Sequence, residues 1–166
     1  RAEVDVHGWV ASTYQNNDGF HLSAPDTSAS GITELMRATL AAGGVEIEEV
    51  DFINTHGTAT PYNDKIETAA IHKVFGEHAR KIPVTANKGA MGHLMGAAGI
   101  VETVSALHTM NTSSIPPTAN SEQPDEELEL DVVRDEPRSA DIRYALKNSF
   151  GIGGANACLL LENAHA

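Results

Sequence analysis

The sequence predicts an α/β fold: a βαβαβα run followed by a β-rich tail, forming a mixed five-stranded sheet with helices on its faces. Three observations predict it. Short apolar runs alternate with longer segments whose apolar residues recur at helical spacing. The pair Pro116-Pro117 then ends that pattern, because proline fixes its own φ and disfavours helix before it. Beyond the prolines the apolar segments are short, and the last two flank a glycine loop. No internal repeat divides the chain, so residues 1–166 read as a single domain.

Each element has its own reason. Val4 to Ser12 alternates as a strand does, and Asn16-Asn17-Asp18-Gly19 is a turn signal. Ser28 to Ala42 reads as a helix, with Ser28 or Ser30 as its cap and Gly43-Gly44 as its stop. Val50 to Asn54 is a short buried strand. Asn63 or Asp64 can cap the next helix, which carries Ile66, Ala70, Ile71 and Val74 and ends at Gly76. Val84 to Ala86 is a third strand, and Gly92 to Met110 a long helix rich in small residues. Ile115 to Thr118 is extended and Asp125-Glu126-Glu127 a solvated loop. Leu130 to Val133, Arg143 to Ser149 and Asn156 to Leu161 read as strands, the last two joined as a hairpin across Gly151-Ile152-Gly153-Gly154.

Composition narrows the function classes. Hydrophobic residues make up 41 % and charged residues 20 %, as in an ordinary globular domain. A net charge of −12 opposes binding to nucleic acid or to an anionic membrane surface. No apolar run approaches the roughly 20 residues of a membrane-spanning helix. The start at Arg1, with no apolar leader, is what a trimmed or sub-cloned fragment would show. The single cysteine, Cys158, points to a reducing cytoplasm.

Three loops at strand ends hold the chemistry: Asn54-Thr55-His56-Gly57-Thr58-Ala59-Thr60-Pro61, Asn87-Lys88-Gly89-Ala90-Met91-Gly92-His93 and Asn148-Ser149-Phe150-Gly151-Ile152-Gly153-Gly154. His93 falls at the expected start of the long helix. The positive end of the helix dipole there disfavours a second positive charge, so the imidazole should stay neutral and donate one N–H to a developing anion. No HExxH and no Cys/His spacing suggests a metal pair. The glycine loop lacks the lysine and the strand-to-helix setting of a phosphate cradle.

Taken together, His56-Gly57-Thr58-x-Thr60-Pro61-x-x-Asp64, Lys88-x-x-x-Gly92-His93-x-x-Gly96-Ala97-Ala98-Gly99 and Asn148-Ser149-Phe150-Gly151-x-Gly153-Gly154-x-Asn156 resemble the C-terminal half of the elongating β-ketoacyl-acyl-carrier-protein synthases. Ile115-Pro116-Pro117-Thr118 and Asn120 to Asp125 resemble the stretch after that family's long helix, so the likeness runs from about Val4 to Glu162. The resemblance implies half of a thiolase fold and a decarboxylative Claisen condensation of an acyl thioester with malonyl-acyl carrier protein. By match of position, His56 and His93 would stabilise the enolate. Lys88, paired with Glu67, would orient His93. Thr58 and Thr60 would bind the phosphopantetheine arm, and Phe150 and the backbone N–H of Ile152 would lie at the acyl-cysteine. Asn54, Glu102 and Asn148 would hold a structural monovalent cation. No cofactor is implied beyond the carrier's phosphopantetheine. The partners implied are acyl carrier protein and a second subunit of a full-length homodimer, whereas this chain alone would be monomeric or weakly associated.

The sequence departs from the family at Ile152, where the fatty-acid branch usually has phenylalanine, and at Ala155, where threonine is common. The nucleophilic cysteine belongs to the family's N-terminal half. Cys158, in the apolar run Asn156 to Leu161, has nothing nearby to lower a thiol pKa, so the chain alone would be inactive. A non-catalytic partner of the chain-length-factor kind is the alternative, although such partners usually lose the histidines kept here. Thiolase-like degradative enzymes carry a cysteine near the C-terminal glycine loop in a different pattern, and initiating synthases pair histidine with asparagine.

Overall fold

The computed structural model describes residues 5–123 and 125–165. Its strands are β1 (Trp9–Asn17), β2 (Val50–Asn54), β3 (Pro83–Thr85), β4 (Ser114–Ile115), β5 (Asp131–Val132), β6 (Arg138–Ser139), β7 (Tyr144–Phe150) and β8 (Ala155–Glu162). Its α-helices are α1 (Ser30–Gly43), α2 (Asn63–Phe75), the single turn α3 (Lys88–Met91) and α4 (Ala98–Thr112).

The sheet is mixed, as expected, but has six strands rather than five, in the order β1-β8-β7-β2-β3-β5. β1, β8 and β7 run antiparallel, whereas β7, β2, β3 and β5 are parallel. Each of the six strands falls on a segment read as extended, Leu130 to Val133 among them, and the expected count fell one short of those segments; β5 joins the sheet through only Asp131–Val132, on the edge beside β3. β4 and β6 form a separate two-stranded ribbon, and β6 carries no apolar signal.

Side-chain alternation divides the core into two layers. Leu146 of β7 and Leu160 of β8 pack with Leu35, Met36, Ile71 and Phe75 of α1 and α2. Ala145 and Leu161, their neighbours, pack with Ala106 and Met110 of α4 on the opposite face. Adjacent residues of β7 therefore serve different layers, which decides the surroundings of Lys147 and Asn148 below.

Several local expectations are corrected. β1 begins at Trp9 and runs through Asn17, because its partner β8 continues to Ala155; Val4 lies outside the described residues. Neither Ser28 nor Ser30 caps α1. Ala29 does so in a left-handed conformation, while both serine hydroxyls donate to the Asp26 carboxylate at 2.6 and 3.0 Å. Asp64 does not cap α2 but accepts the Ala59 N–H at 3.2 Å. The long helix starts at Ala98, not Gly92. Gly92 ends α3 at φ 74°, and a short 3₁₀ turn at Met95–Ala97 separates it from α4. The acidic loop contains a 3₁₀ turn, Glu126–Leu128.

Candidate active site

β2 ends at Asn54, and the chain turns at once over the end of the sheet. Thr55 N–H still bonds Thr85 O at 3.0 Å, which holds the start of the loop beside β3. Gly57 adopts φ 46°, and a Cβ there would lie 2.5 Å from that of Ala86, so only glycine fits. Glu67, buried on α2, reaches back under this turn. Its two oxygens accept the N–H groups of His56 at 2.9 Å and Gly57 at 3.0 Å, and Asn148 Nδ2 adds a third bond at 3.1 Å. Burial pushes the Glu67 carboxyl up, and these three donors oppose that shift.

The turn delivers His56 to a buried position with its ring 5.4 Å from that of Phe150 and 5.6 Å from that of His93, edge to face in both cases. Lys88, the first residue of α3, is also buried. Its Nζ lies 2.5 Å from His56 O, 3.3 Å from His56 Nδ1 and 2.5 Å from Glu102 Oε1. Two sequence expectations fail here. Lys88 pairs with Glu102 rather than Glu67, because Glu67 is already engaged by backbone N–H groups. It positions His56 rather than His93.

His93 is exposed in the turn after Gly92, five residues before α4 begins, and so does not stand at the start of that helix as expected. Its Nδ1 accepts the N–H of Met95 at 3.1 Å. An ammonium can only donate, so His56 Nδ1 accepts from Lys88 as His93 Nδ1 accepts from Met95. An accepting Nδ1 carries no proton, so in both rings the proton sits on Nε2. His56 is held neutral by burial first, then by the charges of Lys88 and Lys147, and its pKa is brought down to about 3. Two N–H donors on neighbouring imidazoles can share one oxygen that becomes negative.

Both rings line a cavity of about 760 Å³ that also touches Thr58, Thr60, Phe150 and Ile152. The Thr58 and Thr60 hydroxyls bond each other at 2.8 Å on its wall. Ile152 is 81 % exposed at the tip of the β7–β8 hairpin. Cys158 stands apart, fully buried between sheet and α1, and burial pushes its thiol up to about 12.

Behind His56 lies a group of buried charges. Glu102 of α4 offers Oε1 to Lys88 and Oε2 to Lys147 of β7, each at 2.5 Å. Lys147 Nζ also donates to Asn148 O and Ser149 Oγ, both at 2.5 Å, so three oxygens surround the ammonium, two as hydrogen-bond acceptors and Glu102 Oε2 as its ion-pair partner. Burial draws Lys147 below the usual lysine range, and Glu102 holds it up. The Asn54 carboxamide belongs to the same face: its Nδ2 donates to Asn87 Oδ1 at 2.6 Å, and Asn87 Nδ2 donates to Ser105 Oγ of α4 at 3.0 Å.

The residues do not fit the expected monovalent cation. The Asn148 side chain points to the opposite layer, where it meets Glu67 and Met36, so it cannot share a ligand with Glu102. The Oδ1 atoms of Asn54 and Asn148 are buried without partners, but Glu102 Oε2 and Asn148 O already surround the Lys147 ammonium. Sequence reading missed Lys147 and Asn87. The signal for Lys147 was a lysine directly after the apolar run Ala145-Leu146 in a strand, matched by Glu102 as the single charged residue of the long helix.

Residues 7–122 match the family described as "Beta-ketoacyl synthase, C-terminal domain". The chain is 44 % identical over 162 residues to 3-oxoacyl-[acyl-carrier-protein] synthase 2 of Coxiella burnetii, covering 98 % of this chain and 39 % of that protein. Nodulation protein E of Rhizobium meliloti is 40 % identical over 153 residues, covering 92 % of this chain and 38 % of the relative. A solved type II polyketide synthase acyl-carrier protein in complex with its ketosynthase superposes with TM-score 0.93 at 26 % identity, over 96 % of this chain and 39 % of that one. The chain thus spans about two fifths of the length of the relatives it matches.

Proposed function

The chain belongs to the β-ketoacyl synthase family as its C-terminal domain, and on that premise we propose that the protein of which it forms part condenses an acyl thioester with malonyl-acyl carrier protein, releasing carbon dioxide. The observation that carries this reading is the pair of imidazoles 5.6 Å apart on one cavity, each with Nδ1 occupied as an acceptor and Nε2–H left to donate.

In this reading the malonyl thioester oxygen lies between His56 and His93. Decarboxylation moves the electron pair of the breaking C–C bond onto the thioester, and the two N–H donors stabilise the resulting enolate oxygen. The enolate carbon then attacks the carbonyl of an acyl group held as a thioester, the acyl C–S bond breaks, and the thiolate that carried the acyl group departs. Lys88 holds the ring of His56 in place, and Glu67 holds its backbone. Thr58 and Thr60 face the phosphopantetheine arm along the cavity wall, while Phe150 and the N–H of Ile152 border the acyl thioester.

Cys158 is unsuited to carry the acyl group, since its thiol is sealed in the core and held protonated. The nucleophilic cysteine therefore comes from outside these 166 residues, and the chain by itself does not condense. The outer face of α4 exposes Ile100 and Val104, an apolar surface suited to burial against the remainder of the protein. We place the complete enzyme in the cytoplasm as a homodimer that needs no cofactor beyond the carrier's phosphopantetheine, and this chain alone as a monomer or weak associate. A chain-length-factor-like role is disfavoured by the retention of both histidines.

The test is decarboxylation of malonyl-acyl carrier protein by the complete protein carrying His56→Ala or His93→Ala. Each should reduce kcat by about 10²–10³, the scale of losing one oxyanion donor. Activity retained in both variants would reject the reading.

A further inference from the structure

A buried lysine ammonium contacting a glutamate oxygen, a backbone carbonyl and a hydroxyl is a cation in an oxygen cage. Lys147 Nζ meets Glu102 Oε2, Asn148 O and Ser149 Oγ, each at 2.5 Å. The lysine side chain is 1 % exposed and that of Glu102 4 %. β7 dictates this arrangement: Ala145 faces α4, so Lys147, two residues on, faces it too. Without Lys147, Glu102 would keep only Lys88, and its second oxygen would be buried facing two further oxygens. That arrangement calls for another positive charge.

We propose that Lys147 is a tethered counter-ion, standing where an inorganic monovalent cation would otherwise be needed, and that it thereby positions Lys88 behind His56 without dependence on Na⁺ or K⁺. The link runs through one carboxylate. Lys147 fixes Oε2, Glu102 offers Oε1 to Lys88, and Lys88 contacts both the carbonyl and the ring of His56. Lys147 is thus a positioning residue, not a catalytic one. This inference rests on the ion cluster and does not require the condensation chemistry.

The experiment is thermal unfolding of the complete protein in NaCl, KCl and choline chloride at matched ionic strength, for the wild type and Lys147→Ser. Choline is too large for the cage. The wild type should give one Tm in all three salts. K147S should have a lower Tm in choline and recover with rising Na⁺ or K⁺ along a saturable curve, as a bound ligand requires. A merely structural loss would lower Tm equally in every salt, and that result overturns the proposal. A saturable rise in wild-type Tm with Na⁺ or K⁺ over choline also overturns it. Should K147S fail to fold in every salt, the wild-type comparison and Lys147→Arg decide. K147R keeps a tethered charge and should fold without cation preference, whereas a cation-dependent K147R would overturn the proposal.

Discussion

The carboxylate of Glu67 accepts the backbone N–H of His56 at 2.9 Å, so a helix residue sets the position of a strand-end histidine from beneath. The same carboxylate takes the Gly57 N–H and the Asn148 amide, making it the common anchor of the first and third loops.

Glu67→Ala should therefore destabilise the fold by about 2–4 kcal/mol, because it leaves several buried donors unpaired. Glu67→Gln should recover part of that loss, since its single carbonyl replaces one of the two accepting oxygens. Urea denaturation at neutral pH measures both.

His56 gives the fold an acid sensitivity. Its folded pKa is lowered from 6.5 to about 3. Its contribution is fully present above the unfolded value, and it is lost as pH falls from 6.5 towards 3, where only the unfolded chain takes the proton. The slope is at most about 1.4 kcal/mol per pH unit in that window. Denaturation midpoints measured at pH 7, 6 and 5 should fall more steeply for the wild type than for His56→Asn. Parallel curves would assign the acid sensitivity to other groups.

Gly57→Ala tests the turn itself. The left-handed φ and the 2.5 Å approach to Ala86 both act against a methyl group. A loss of about 1–3 kcal/mol is expected, with a fall in kcat larger than any rise in KM because the His56 ring shifts. Steady-state kinetics beside a melting curve separates the two effects.

Cys158 should be inert in the folded protein. With its thiol buried and pushed up to about 12, it should resist iodoacetamide at pH 8 and react once the protein is unfolded. Peptide mapping by mass spectrometry reads the difference. Rapid native labelling at position 158 would contradict the packing of β8 against α1.

Much of this was legible in the chain. The bounds of β2 were read correctly from an apolar run followed by a loop, and the end of α2 from helical periodicity stopped by Gly76, whereas its cap is Tyr62 rather than Asn63 or Asp64. The three loops were also found, since histidine, lysine and glycine at strand ends are a signal in themselves. The start of α4 was misread because Gly92 to Ala97 has helical composition. A positive φ at Gly92 and another at Met95, which no periodicity reveals, break it.

The sequence by itself determined which residues could act: two histidines, one lysine and the loops that carry them, because local patterns of apolarity and glycine place strand ends. Only the tertiary structure decided which charge meets which. Glu102 lies on α4 and Lys147 on β7, and their pairing depends on strand register and on which face each residue takes. That choice is made by long-range packing, where a shift of one residue along β7 would exchange Lys147 for Asn148 and leave Glu102 facing an amide.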